Sequence, residues 1–275
     1  MMTSEHIEYW HNPVLPGIEL SRAKFTQFEF QKHIHLDYHV GVVSHGCQQY
    51  CHKGNTYLLA PGSISTLNPD EAHNGQSRSA EGYEAHVLSI PAHYVKQVSD
   101  ELNQGELFFN SPLIDTPRLQ FAFLQLHQML TSTQQFSSLE IETSMMTFTT
   151  ELFSKHSELQ PVKQNITTGL SHQQICQIRE LFHDDLSHTF QLETLAVKFN
   201  LSKFQFLRAF KKTVGMTPHA YLKRVRLEHA KKAIINGGAL SDIANQVGFF
   251  DQSHLNKAFK HAYLITPAHF QRRVL

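Results

Sequence analysis

The 275-residue sequence predicts a two-domain α+β chain. Residues 1–160 should form a β-barrel with packed helices, and 161–275 an all-α domain with two helix-turn-helix units joined by a long helix. Three observations carry this. Residues 17–91 break into short apolar or alternating runs separated by turn residues, the texture of many short strands. A nine-residue phrase, Phe210 to Pro218, returns as Phe259 to Pro267, an offset of 49 residues. The charge is also split: 1–161 carry 8 Lys and Arg against 17 Asp and Glu, and 162–275 carry 16 against 7, so a formal charge of zero hides nets of −9 and +9. A basic half beside an acidic one points to a polyanion, nucleic acid first, as its partner.

The length suffices for two domains with cores of their own. Cys47, Cys51 and Cys176 form no ladder of pairs, which fits a reducing compartment. Residues 1–12 lack the apolar run of a signal peptide, and no stretch approaches the ~18–20 apolar residues that span a bilayer. The expectation is a soluble, cytoplasmic protein with no membrane partner.

In chain order, Phe25, Phe28 and Phe30 open the strand region. The runs Tyr38–Val43, Thr56–Leu59, Ser63–Leu67 and Glu84–Ile90 follow, with breakers at Gly46, Lys53-Gly54-Asn55, Ala60-Pro61-Gly62 and Asn68-Pro69-Asp70-Glu71. The spacing His33-x-His35-x3-His39 sets three imidazoles near the start of one strand, on one face if that strand is regular. His73 follows the last turn. Three readings stand side by side. A small-molecule pocket in the barrel mouth would use His33, His35, Tyr38, His39, Glu71 and His73 as polar hooks. A metal would need neutral imidazoles from His33, His35, His39 and His73. In a chain with 20 histidines, the cluster can also be structural. The pocket is the reading adopted, with no cofactor and no catalytic residue. Cys47-x3-Cys51-His52 matches no metal-ligand spacing and reads as a hairpin with incidental thiols.

This stretch resembles a cupin, which carries His-x-His and an acidic residue on one strand, Pro-x-Gly in a turn and a further His later. Here His39 stands in the acidic position, and Ala60-Pro61-Gly62-Ser63 matches part of the second motif.

Beyond Pro91 the period becomes helical, over Ala92–Leu102, Pro117–Leu130 and Ser137–His156. The broad apolar faces of the last two pack on their own domain or pair with a second copy. Glu158–Gly169 reads as a linker. Ser171–Leu186 is a capped helix, and Leu192–Phe199 a short one. Asn200 takes a left-handed turn, and Ser202 caps Lys203–Thr213, completing the first helix-turn-helix. Gly215 closes that unit. Thr217-Pro218 then starts a helix of about 19 residues that runs to about Asn236, roughly 28 Å against the roughly 34 Å between successive major-groove faces. The second unit is Ser241–Val247, a turn at Gly248-Phe249, and Asp251–Tyr263.

A helix in a major groove needs base-edge readers near its amino end and cations for phosphates. The first unit offers Ser202, Lys203, Phe204, Leu207 and Arg208, with Arg208 suited to guanine and Phe204 and Leu207 to a thymine methyl. The second offers Gln252, Ser253, Asn256 and Lys257, with Gln252 or Asn256 suited to adenine. Lys211, Lys212, Lys223, Arg224, Arg226, Lys260, Arg272 and Arg273 would face the backbone, Arg226 alternatively serving as a structural ion-pair partner.

These residues resemble a known family. Ile243-Ala244, Val247-Gly248-Phe249, Asp251-Gln252-Ser253-His254, Ala258-Phe259-Lys260, Thr266-Pro267 and Phe270-Gln271-Arg272 fall where the signature of the AraC/XylS family of bacterial transcription regulators falls. The first copy matches as Leu195-Ala196, Leu201-Ser202, Phe210-Lys211-Lys212, Gly215 and Thr217-Pro218. His33-x-His35, Pro61-Gly62 and Asn68-Pro69-x2-Ala72-His73 resemble the cupin-like effector domain of many members. Two positions depart: Leu264 replaces the family glycine seen at Gly215, leaving open a different closure of that turn, and Leu207 replaces a polar reader.

The resemblance implies a non-enzymatic transcription regulator in which a small molecule in the barrel alters how Pro117–His156 pairs or docks. Its partners would be double-stranded DNA, the effector, a second copy of the chain, and RNA polymerase if it activates. A metal-dependent cupin enzyme fused to a DNA-binding module and an effector-independent DNA-binding protein are the competing readings.

Overall fold

The computed structural model describes residues 5–101, 107–132, 136–159, 169–188 and 190–275. The chain divides into two compact units, Met1–Pro161 and Val162–Leu275.

In the first unit the strands are β1 (His6–His11), β2 (Glu19–Phe25), β3 (Phe30–His33), β4 (Tyr38–Gly46), β5 (Gln48–His52), β6 (Asn55–Leu59), β7 (Ser63–Leu67), β8 (His73–Ser77) and β9 (Tyr83–Ile90). After them come α1 (Ala92–Glu101), β10 (Leu107–Phe109), β11 (Leu113–Asp115), α2 (Pro117–Thr131), α3 (Ser138–His156) and β12 (Ser157–Leu159). Leu102 lies outside the described residues.

The expected closed barrel does not form. The strands make a six-stranded antiparallel sheet, β1-β2-β9-β4-β7-β11, a four-stranded sheet, β3-β8-β5-β6, and the pair β10-β12. The outer strands β1 and β11 of the larger sheet are not paired with each other, so its ladder stays open. The chain leaves one sheet for the other after β4, where the register with β9 shifts between Val43 and His45. Gly46 then takes φ +74, and a Cβ there would run into the Gly82 carbonyl oxygen. A texture of short strands fixes their number and polarity pattern, but whether the end strands meet depends on pairings far apart in sequence.

Alternation along β4 decides what the larger sheet buries. Val40 and Val42 join Leu20, Ile64, Leu88 and Ile90 in one core with Leu119, Phe123 and Leu126 of α2 and Ile141, Met145, Phe148 and Leu152 of α3. Gln120 fastens α2 to the strands, donating to the Val43 carbonyl (3.2 Å) and accepting from the Gly62 amide (2.7 Å). Helix α3 starts with a capping box between Ser137 and Glu140.

The predicted linker 158–169 begins later than expected. Glu158 and Leu159 belong to β12, which pairs with β10. Residues 160–168 lie outside the described ones.

The second unit is all helical in its described residues: α4 (His172–Asp184), α5 (Leu192–Lys198), α6 (Lys203–Val214), α7 (Pro218–Ile235), α8 (Leu240–Gln246), α9 (Gln252–Tyr263) and α10 (Pro267–Val274). Five of these seven starts have a side-chain cap. Ser171 with Gln174 and Ser202 with Gln205 form capping boxes, while Thr217, Asp251 and Thr266 accept an amide hydrogen bond from three residues on. Asn200 sits at φ 56, which gives the tight turn between α5 and α6. Helix α7 has 18 residues, about 27 Å at the α-helical rise.

Leu264 does not change the last turn. Its φ of 64 and ψ of −6 nearly repeat the 87 and −3 of Gly215, and both amides donate to a carbonyl four residues back at 2.9 Å, Lys260 and Lys211 respectively. The turn geometry outweighs the side chain's own preference.

Candidate functional site

Helices α6 and α9 hold the predicted readers. On α6, Phe206 and Phe210 are buried, which turns Lys203, Arg208, Lys211 and Lys212 outward and leaves Leu207 half-buried. The hydroxyl of Ser202 serves the helix cap, accepting from the Gln205 amide at 3.2 Å. The side chain of Phe204 lies outside the described residues. A cleft of about 510 Å³ opens beside α6, with Arg208, Lys212 and Gln205 on one side and Leu170 and Gln174 on the other. Gln174 had no signal in the sequence beyond its capping position.

On α9, Leu255 and Phe259 are buried, and Gln252, Ser253, Lys257 and Lys260 are exposed. Asn256 departs from the expected outward orientation: it is half-buried, and its Oδ1 is enclosed with no hydrogen-bond partner among the described residues. Arg272 on α10 is exposed. Phe250, beside the turn, is 89% exposed, an apolar side chain that the periodicity of the flanking helices does not account for.

Two cations grouped with the phosphate contacts have other work. Arg224 is buried, bonded through Nη2 to Glu228 Oε1 at 2.9 Å and stacked 4.8 Å from the Tyr263 ring. Glu228 also accepts from the Tyr263 hydroxyl at 3.0 Å. Arg226 donates to the carbonyls of Leu186 (2.8 Å) and His188 (2.9 Å), a structural role in which backbone carbonyls stand where an ion-pair partner was the expected alternative. Gly248, at φ +79, lets backbone pass that guanidinium, where a Cβ would collide with it.

In the first unit the histidines do converge, though not on one strand. His33 ends β3, His35 lies in the loop after it, His39 is on β4 and His73 opens β8. Ring centroids lie 4.9 Å apart for His33–His35, 4.4 Å for His33–His73 and 5.1 Å for His35–His73, and His39 stacks on His35 at 3.5 Å.

Tyr38 does not join them. It is buried on the opposite face of β4, donates its hydroxyl to the Leu107 carbonyl (2.8 Å) and meets Phe109 and Phe153 edge-on. Adjacent strand residues point to opposite faces, so Tyr38 and His39 cannot share a pocket. Glu71 is also committed elsewhere. Burial opposes its ionisation, but hydrogen bonds from His52 (2.9 Å) and Lys53 outweigh that and hold its carboxyl at about 2. It serves as a structural anion of the 68–73 turn.

With these surfaces in view, comparison with known proteins is decisive. Residues 195–273 match the model of a helix-turn-helix domain, and residues 15–149 match the AraC-like ligand binding domain. The chain belongs to the AraC family of transcription regulators. It is 25% identical over 240 residues to the uncharacterized HTH-type transcriptional regulator YbfI of Bacillus subtilis, covering 86% of each chain. It is 23% identical over 260 residues to the HTH-type transcriptional activator RhaS of Yersinia pestis, covering 89% of this chain and 90% of that one. In structure it resembles a ToxT variant from Vibrio cholerae, with a TM-score of 0.61 at 18% identity over 94% of this chain and 98% of the other, a likeness of fold.

As an AraC-family regulator the protein pairs a ligand-binding domain with a DNA-binding helix-turn-helix domain. Its relatives are transcriptional regulators. No helix among the described residues is long and apolar enough to cross a membrane.

Proposed function

We propose that residues 1–160 sense a small molecule at the histidine-lined mouth and that 161–275 bind two adjacent major-groove segments, with the sensor altering DNA occupancy. Lys203, Phe204, Leu207 and Arg208 read the first segment, and Gln252 and Ser253 the second, Asn256 being turned inward. Ser202, Lys211, Lys212, Lys257, Lys260 and Arg272 hold the backbone. The effector meets His33, His35, His39 and His73. Neither Tyr38 nor Glu71 belongs to that set.

One observation supports the coupling. The turn that carries His73 is tied both ways to β10: Phe109 donates its amide to Asn68 Oδ1 (2.8 Å), and Asn68 Nδ2 donates to the Phe109 carbonyl (2.9 Å). Phe109 stacks on Phe153 of α3 at 4.8 Å, and β10 pairs with β12, the last described element before residues 160–168. A ligand that binds one arrangement of the turn more tightly therefore biases α3 and β12. Phe121, Leu139 and Met146, exposed on α2 and α3, are the apolar groups a second copy would cover. RNA polymerase is the further partner if promoter output rises. ToxT from Vibrio cholerae has been solved with an unsaturated fatty acid bound, at a TM-score of 0.57 and 14% identity to this chain, which supports a small-molecule occupant in this fold without naming it.

The test is quantitative footprinting with and without a metabolite panel. Arg208→Ala should weaken specific binding by about 1–3 kcal/mol and leave nonspecific binding nearly unchanged. Arg272→Ala should weaken both alike and lower the salt slope by about 1. Footprints without sequence preference in either state would reject the two-reader scheme. Asn68→Ala should abolish the effector's influence while DNA binding persists.

A further inference from the structure

We propose that Phe250 is a specificity-determining contact of the second helix-turn-helix unit, its ring meeting a thymine methyl group in the major groove. The inference rests on the DNA-binding reading of that unit and adds an apolar reader that stands in the turn, outside the recognition helix.

The turn places the ring. The two copies agree up to the residue before Phe250: the Leu201 amide donates to the Ala196 carbonyl at 3.0 Å, and the Phe249 amide to the Ala244 carbonyl at 2.9 Å. Just before them, Asn200 (φ 56) and Gly248 (φ 79) make the same left-handed step. In the first copy Ser202 then caps α6 at once, whereas in the second Phe250 intervenes before Asp251 caps α9. Phe250 is therefore the one residue by which the second copy is longer. Its neighbour Phe249 fills the inner side of the turn, buried and edge-on to the His254 ring at 5.2 Å. The ring of Phe250 stands 89% exposed.

A lone exposed apolar side chain is ordinary on a protein surface, but this one lies where the unit meets DNA. The second helix of a helix-turn-helix enters the major groove with its amino-terminal residues against base edges. Gln252 and Ser253 occupy that end of α9 and are exposed, and the exposed Lys257 and Lys260 carry positive charge along the same helix. The carboxylate next to the ring, that of Asp251, is turned to the helix, where it accepts the His254 amide at 2.6 Å.

The chemistry of the ring selects its partner. A phenyl group has no hydrogen bond to give a phosphate or a polar base edge, so it gains by shedding water against apolar surface. On the base edges of the major groove, the apolar group is the thymine C5 methyl. A protein partner would call for a patch, yet among the described residues no other large apolar side chain of 240–263 is exposed.

The experiment uses the full-length protein to select duplexes from a random-sequence pool, with Phe250→Ala, Phe250→Leu and Gln252→Ala selected in parallel. The wild-type pool should carry thymine at one fixed place in the second segment. Phe250→Ala should lose that preference alone, Phe250→Leu should keep most of it, and Gln252→Ala should change a different position. Each thymine of that segment is then replaced in turn by deoxyuridine, which lacks only the methyl group. One replacement should weaken wild-type binding about fourfold, the size of one buried methyl group, and leave the affinity of Phe250→Ala unchanged. The uridine series on the wild-type protein needs no variant, and an unchanged thermal midpoint establishes that Phe250→Ala folds. Identical pools, or equal uridine losses in wild type and variant, would overturn the proposal. So would a Phe250→Ala loss uniform across sequences, which puts the ring on the backbone, or unchanged DNA binding with transcription altered only when RNA polymerase is added, which puts it on a protein. A wild-type pool with no enriched sequence would overturn the DNA-reading scheme and this proposal together, whereas an enriched pool indifferent to Phe250→Ala overturns this proposal alone.

Discussion

The two helix-turn-helix copies are written in nearly the same words, yet they are fastened to the shared helix α7 by different chemistry. The first is held by rings: Phe210 of α6 meets Tyr221 of α7 at 5.8 Å, and Phe182 of α4 meets Tyr221 at 6.0 Å. The second is held by a buried polar cluster in which Arg224 and Glu228 of α7 bracket Tyr263 of α9, with Lys231 lying 4.7 Å over the same ring. An apolar contact tolerates small adjustments, because dispersion and burial are non-directional. A buried ion pair with a hydrogen-bonded hydroxyl fixes one orientation and is costly to break. The second copy therefore has the more rigidly specified docking, and the first the more adaptable one.

The largest effect should come from breaking the polar side of this contrast. Glu228→Ala leaves Arg224 buried without its carboxylate and should destabilise the DNA-binding half by about 3–5 kcal/mol in denaturant unfolding. Phe210→Leu at the other copy, which keeps most of the apolar volume, should cost less than about 1.5 kcal/mol. Equal losses would erase the distinction between the two anchors.

A medium effect should come from exchanging the residues that close the two turns. Gly215→Leu should cost about 1–2 kcal/mol, since a side chain pays for the left-handed conformation. Leu264→Gly should gain up to about 1 kcal/mol, reduced by whatever packing the half-buried leucine provides. If both substitutions destabilise alike, the leucine's contacts outweigh its backbone strain.

The smallest effect separates the copies by pH. On the α4 side of α7, His229 lies 2.9 Å from His183, and burial together with that neighbour lowers its pKa to about 4. A lowered histidine pKa means that the unfolded chain takes up the proton first, so stability is full above about 6.5 and falls as pH drops towards 4. With His229 only partly buried, the loss should not exceed about 1 kcal/mol. Melting curves of His229→Gln between pH 7 and 4 should show a shallower decline attributable to this unit, and an unchanged slope would remove His229 from the account. His127 in the ligand-binding half, also lowered to about 4 by burial and by His86, adds the same sign of dependence there.

Much of the DNA-binding half was legible because its signals are local. Ser171, Ser202 and Thr217 announce helix starts through bonds to amides three residues away, and the alternation of Phe206 and Phe210 with Arg208 and Lys211 fixes one face. Arg224 was misread because a charge in a helix looks the same in sequence whether it meets phosphate or a glutamate one turn on. In the ligand-binding half the spacing of His33, His35 and His39 is visible in the sequence, but the hydroxyl of Tyr38 suggests a polar pocket where strand alternation assigns it to the core. The charge of Glu71 is visible in the sequence, whereas its partners His52 and Lys53 are set only by the fold.

By itself, then, the sequence determined the repeat, the caps, the strand and helix periods and the separation of charge between halves, all of which act within a few residues or through composition. Only the tertiary structure decided that the sheets stay open, that His33 and His73 face each other across two strands, and that Leu264 bends as a glycine would. The first two outcomes rest on pairings between segments distant in the chain, whose register no local pattern records, and the third on a turn geometry that outweighs leucine's own preference.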